Sequence, residues 1–243
     1  MLKINSYKDA FDIPDNLLSS LVDSEIECWW AKPFDEYKMC EDCKALFSIE
    51  DVHWSLENFR KNIGNSKDFE CLECSWKTDF IYEKNAFLEL IQDYVKESVS
   101  AILLITPEQK VEWFWILAKT TVWWIIENEF ATRPWSYDKE ELKNTFSWIN
   151  LCLDQELICF HQLYTSPDVR KWNISFDMMQ KLFLLNNEYE DLPVILETRY
   201  NSRFYPIGKL MGANDILNDR YWYIIQLIER YKQFLKYFDE KSN

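Results

Sequence analysis

The stretch ELICFHQLYTSPDVRKWNISFDMMQKL, Glu156–Leu182, decides the fold. Residues 156–166 read as a strand, and Pro167 turns the chain. From 174 to 187 the apolar residues Met178, Met179 and Leu182 sit at helical spacing. A strand, a short loop and a helix start place successive backbone N–H groups where they can cradle an anion. Arg170 and Lys171 lie in that loop as candidate phosphate partners. Trp172 sits where such a loop needs almost no side chain.

Working outward, the order of elements is mixed. Residues 5–24 read as a helix, broken or restarted at Pro14 and Asp15. EIECWWAKPF is short and strand-like. EKNAFLELIQDYVKESV (83–99) has helical spacing. Strands are expected at 100–106, 111–119 and 122–130, with TPEQK as the turn between the first two. A helix capped by Ser136 or Asp138 follows over 136–151. After the 174–187 helix come a strand at 192–198 and a short helix at 202–212. The last stretch, RYWYIIQLIERYKQFLKYF, begins as a strand and finishes as an amphipathic helix. Alternation of this kind predicts an α/β (α+β) domain with crossover helices.

Cys40 and Cys43 form one C-x-x-C pair and Cys71 and Cys74 a second, 27 residues further on. Two such knuckles complete a tetrahedral four-thiolate site, so a structural zinc ion is expected. Closing a loop of about 27 residues instead of about 17 costs only ~0.4 kcal/mol more, so the long gap is permissive. Four thiolates leave no open coordination position, which argues against a catalytic ion. His53 reads as a loop or core histidine. Cys28, Cys152 and Cys159 read as buried thiols.

A net charge of −14 speaks against a nucleic-acid binder and against an anionic membrane surface. No run approaches the ~20 apolar residues that span a bilayer. The first residues, MLKINSYKDAFDIPDNLL, carry acids and lack the apolar centre of a signal peptide. Together with the C-x-x-C pairs, this predicts a reducing, cytoplasmic location.

Three matches in the right order resemble the GNAT superfamily of N-acetyltransferases. The first is the opening stretch, which resembles the family's central strand, its turn and the Arg of R-x-x-G-x-G/A. The second is LPVILETRYNSRFYPIGKLMGAND, where Asn201 and Gly212 keep the family's spacing. The third is KVEWFWILAK, similar to the family's V-x-G-F strand with Trp113 for the glycine. The resemblance covers about half the chain, residues 100–225. It implies a mostly antiparallel central sheet flanked by helices, divided as 1–34 (first helix and strand), 35–78 (zinc knuckle insertion) and 79–243 (acyl-CoA-binding core). It further implies acetyl transfer from acetyl-CoA to a primary amine on a small molecule or a protein. The cofactor-binding residues would be Leu163, Thr165, Arg170, Lys171, Trp172, Asn173, Ile174, Ser175 and Asn201. The candidate catalytic residues are Glu127 and Glu129, expected on one face of a strand, His161 on the central strand, and Tyr205. The oligomeric state stays open, a homodimer included.

The chain departs from the family pattern in places. Asn173 and Ser175 hold the small positions of the loop. The family's acid Tyr falls at Gly208, with Tyr205 about one helical turn earlier. These losses keep a catalytically inactive interaction module as the alternative. Three glycines and twelve tryptophans are also out of proportion, since soluble proteins average about 7% glycine. Two readings stand. The indoles pack a core or an interface, or several are glycines specified by UGA, a codon that some bacteria read as glycine and other codes as tryptophan.

Overall fold

The first strand was not expected. In the computed structural model, which describes residues 2–30, 37–61, 68–81, 88–89, 91–93, 98–130, 137–165, 172–200, 204–218 and 223–233, Lys3–Tyr7 forms β1. It pairs antiparallel with β5 (Ser98–Ile105), from Lys3↔Ile105 to Tyr7↔Ala101. A 3-10 turn at Ala10–Asp12 follows, capped by the Asp9 carboxylate, which accepts from the Phe11 N–H. Helix α1 starts only at Asp15 and runs to Trp30. Pro14 therefore marks a true start, and its carbonyl accepts from the Leu17 and Leu18 N–H groups. The residues of EIECWWAKPF up to Trp30 belong to this helix rather than to a strand, because Leu17, Leu18, Leu21, Val22 and Ile26 form one buried helical stripe.

β5 turns through Thr106–Lys110 into β6 (Val111–Thr121), and Gln109 takes the positive φ the turn requires. β7 (Glu156–Thr165) runs antiparallel to β6. Helix α5 (Trp172–Leu185) leads to β8 (Val194–Arg199), the only parallel neighbour among the described strands. The Asn186 amide ties the end of α5 to the sheet by donating to Ser100 Oγ at 2.7 Å. Helix α6 (Phe204–Leu210), β9 (Asn214–Asn218) and β10 (Tyr223–Ile228) complete a sheet of order β1-β5-β6-β7-β8-β10-β9. The expected 202–212 helix and the strand at the start of the last stretch are both found. β9 was not foreseen.

Residues 122–130 were expected as a strand and are not one. After Thr121 caps the turn at Val122–Trp124, Ile125–Phe130 forms a π-helix. Val122, Ile125, Ile126 and Phe130 are buried, at spacings of three, four and eight, and only a helix puts those residues on one side. Helix α4 (Lys139–Trp148), capped by Asp138, packs Leu142 and Phe146 into the same cluster.

A second, three-stranded sheet is formed by β2 (Lys38–Cys40), β3 (Leu46–Phe47) and β4 (Thr78–Phe80), in the order β3-β2-β4. Helices α2 (Ile49–His53) and α3 (Leu56–Lys61) lie between its strands in sequence. Tyr37, Cys40, Phe47, Ile49, Val52 and Cys71 share one apolar core with α1 and with Phe114 and Ile116 of β6. The opposite face of β6 carries Trp113, Trp115 and Leu117, packed with Met178 and Leu182 of α5. Cys152, expected buried, is exposed, while Cys159 is buried in β7. The Cys28 side chain lies outside the described residues. No described helix is long and apolar enough to cross a membrane.

Candidate functional site

Two features of β7 build an opening in the large sheet. Ile116 pairs with Gln162 and Leu117 with Phe160, so His161 is the extra residue of a β-bulge. On its other side β7 pairs with β8 only at Ile158↔Val194 and Cys159↔Ile195. Beyond the bulge, β7 follows β6 as far as Thr165↔Trp113, while β8 follows β10 as far as Arg199↔Tyr223. The two strands therefore part where the bulge lies. Extended backbone faces the gap and can hydrogen-bond an amide-bearing ligand. The chain leaves β7 at Thr165 and re-enters helix at Trp172, so the wide end of the gap adjoins a helix N-terminus.

The expected binding residues distribute around this gap as follows. His161, Leu163 and Thr165 are on β7 at or beyond the bulge, and Trp172, Asn173, Ile174 and Ser175 open α5. Their side chains lie outside the described residues, as do Arg170, Lys171, Asn201 and the side chain of Glu129.

Glu127 is placed differently from its expectation. It sits on the π-helix, so the argument that Glu127 and Glu129 share one face of a strand fails. Its carboxylate accepts from Lys139 Nζ at 2.5 Å and lies 4.0 Å from Lys143 Nζ. The hydrogen bond from Lys139, then the charges of both lysines, outweigh desolvation and hold Glu127 below the usual carboxylate range. The π-helix packs Ile125 and Ile126 with Leu157, Cys159 and Ile195, over the closed half of the β7–β8 pair. Glu127 is thus an ion-paired surface carboxylate in this state.

Tyr205 donates its hydroxyl proton to Asp215 Oδ2 at 2.7 Å. Gln226 Nε2 donates to Asp215 Oδ1 at 2.9 Å, and Lys209 Nζ lies 3.4 Å from the same oxygen. The hydrogen bond to Asp215, with desolvation and the carboxylate charge, pushes the Tyr205 phenol up to about 12. Desolvation raises the Asp215 carboxyl, but hydrogen bonds from Gln226 and Tyr205 and the Lys209 charge win and hold it low. Gly208 explains why the in-register Tyr is absent. A Cβ there would stand 2.5 Å from Gln226 Oε1, and Gln226 is fully buried. Asp215 was missed from sequence because it lies on β9, which was itself missed.

The four cysteines converge. Their sulfurs all lie within 4.8 Å of one another, with Cys40–Cys74 and Cys43–Cys71 at 3.5 Å and Cys43–Cys74 at 3.7 Å. A tetrahedral zinc with Zn–S near 2.3 Å needs sulfurs about 3.8 Å apart, so the set fits. The two knuckles are alike. The Lys44 N–H donates to the Cys40 carbonyl and the Ser75 N–H to the Cys71 carbonyl. Lys44 at φ 62° and Ser75 at φ 60° make the reversal after each second cysteine. Desolvation raises the Cys40 thiol, but the Cys43 and Asp42 backbone amides bring it down to about 7. The Trp76 backbone lowers Cys74, yet desolvation and the neighbouring sulfurs push it up to about 12. So close a set resists full ionisation without a cation. His53 is no ligand: its Nε2 is 2.9 Å from the Tyr37 hydroxyl in the core.

The mostly antiparallel sheet flanked by helices, and the central strand that leads to a helix start, are the arrangement the resemblance implied. The AHL synthase LasI superposes with a TM-score of 0.51 at 9% identity, covering 97% of this chain and 94% of LasI. The chain has the GNAT fold. Other solved structures of similar extent are PH1933 from Pyrococcus horikoshii OT3 (TM-score 0.48, 9% identity, 95% of this chain and 99% of that one) and a GNAT-family protein from Desulfovibrio desulfuricans (0.40, 10%, 94% and 99%). No family model matches the sequence, and no curated protein does. The GNAT-like fold is thus a matter of topology here, at 9–10% identity to these structures.

Proposed function

We propose that the chain is an acyltransferase that moves an acetyl group from acetyl-CoA to a primary amine, with a structural zinc ion held by Cys40, Cys43, Cys71 and Cys74. The observation that carries the reading is the parting of β7 from β8 at the His161 bulge. A pantetheine arm fits such a gap as a substitute strand, its amides bonded to the freed backbone. The pyrophosphate then meets the start of α5, with Arg170 and Lys171 as its charged partners. The amine nitrogen attacks the thioester carbonyl, the carbonyl oxygen draws on a β7 N–H, and the C–S bond breaks to release the CoA thiolate. His161, at the bulge, is assigned the proton leaving the amine, directly or through water. The amine acceptor is a small molecule or a protein, approached between the zinc-bearing insertion at 35–78 and the π-helix. A four-thiolate site suits a reducing compartment, so the cytoplasm is part of the same proposal.

Calorimetry with acetyl-CoA tests this directly. Micromolar binding, followed by release of free thiol with an amine panel, supports the reading. No heat at high micromolar acetyl-CoA overturns it for the chain as tested. One observation favours a second reading, an inactive interaction module of the same fold. The only candidate acid whose side chain is described, Tyr205, already commits its O–H to a hydrogen bond with Asp215 and holds the proton tightly. Acetyl-CoA binding with no thiol release from any amine would favour that module.

A further inference from the structure

Helix α2 ends at a residue badly suited to its backbone. Its cap is Trp54, at φ 69° and ψ −16°, in the left-handed region. Helices commonly close this way on glycine, which has no Cβ to clash, and a bulky residue there is an outlier. The other non-glycine residues at positive φ among the described ones are Lys44, Ser75, Gln109 and Asn150, none of them aromatic. Burial does not repay the strain, because Trp54 is 83% exposed.

Trp113 shows the opposite misfit. It is 2% exposed, and its indole N–H, like those of the buried Trp30 and Trp115, has no hydrogen-bond partner among the described residues. A buried donor left unpaired is costly. Its place also matters. Trp113 stands directly across from Thr165, the last residue of β7 before the loop that ends at Trp172. Two of the twelve tryptophans thus stand on either side of residues 166–171, in a chain with three glycines.

We infer that positions 54, 113 and 172 are encoded by UGA and are glycine in the protein as its own ribosomes make it. Glycine at 54 relaxes the helix cap. Glycine at 113 and 172 leaves no side chain at the β6 position across from Thr165 or at the first residue of α5, where a phosphate would meet backbone N–H groups. Only this last consequence rests on the acyltransferase reading.

The codons decide first: UGG at position 54 overturns the inference outright. With UGA there, peptide masses of the protein isolated from the organism that carries the gene decide next. Glycine at 54, 113 and 172 is the expected result, and tryptophan at 54 overturns it. A stability comparison checks the physical basis. Trp54→Gly is expected to raise Tm, and Trp54→Ala, which keeps a Cβ in the left-handed region, is not. An equal rise in both would remove the cap argument. The protein with glycine at all three positions is then titrated with acetyl-CoA. Failure to bind would overturn the acyltransferase reading while the peptide masses still support the decoding.

Discussion

The four-cysteine cluster and the parting strands are built on opposite principles. At the first, side chains do everything: four sulfurs from two knuckles converge to within 4.8 Å. At the second, the useful groups are backbone amides of β7 at and beyond the bulge at 161, where its pairing with β8 has already ended. The first site is specified by residue identity and fails when one residue changes. The second is specified by register and tolerates changes of identity. Chemistry that needs a particular atom writes itself into the sequence, and chemistry that needs only a free peptide group does not.

The comparison breaks most visibly at the sulfurs. Cys71→Ser, or removal of metal by a chelator, is expected to unfold β2–β4 and expose Tyr37, Phe47 and Ile49, since structural zinc supplies on the order of 10 kcal/mol to small modules. Hydrogen exchange over residues 37–61 measures it, and unchanged protection after metal removal would show that the cysteines are not a staple. A smaller loss follows Gly208→Ala. Its Cβ would meet Gln226 Oε1 at 2.5 Å, so a loss of about 1–3 kcal/mol is expected in denaturant midpoints. An unchanged midpoint would mean that α6 shifts freely on β10.

Titrations give the smallest effects. The Tyr205 phenol is raised in the folded state, so its bond to Asp215 stabilises fully below pH 10 and is lost as pH rises through about 12. Tyr205→Phe should flatten that alkaline limb. Should the variant also lower kcat at constant KM, Tyr205 acts on the reaction and not only as a strut. Glu127 is depressed, so its contribution is present above the ordinary carboxylate range and disappears as pH falls through its lower folded value. Glu127→Gln should weaken the acid limb slightly and leave acetyl transfer intact. A large loss of activity would restore it as a candidate base.

The four-cysteine cluster, the β5–β6 hairpin, β7, α5 and α6 could be read from the sequence, because local spacing and turn chemistry specify them. Residues 122–130 misled because Val, Ile and Trp favour strands by type. The correct signal was the helical spacing of Val122, Ile125, Ile126 and Phe130, which burial enforces. KINSY is short and largely polar, so β1 gains its order from β5 rather than from itself. Asp215 was invisible for the same reason, lying on a polar edge strand that β10 holds in place. The bulge had no local sign at all, since a register shift is a relation between two strands.

The bulge at His161 is in effect a dislocation in the sheet, a single surplus peptide unit that stops the two halves from zipping together. Such a defect cannot be healed by exchanging side chains, only by changing the length of the strand. Substitutions at 161 should leave the cleft open, whereas deleting the residue should bring Gln162 into the place of its predecessor, let β7 and β8 pair further and close the cleft. The opening is thus recorded in the count of residues along β7 and not in the letter at position 161.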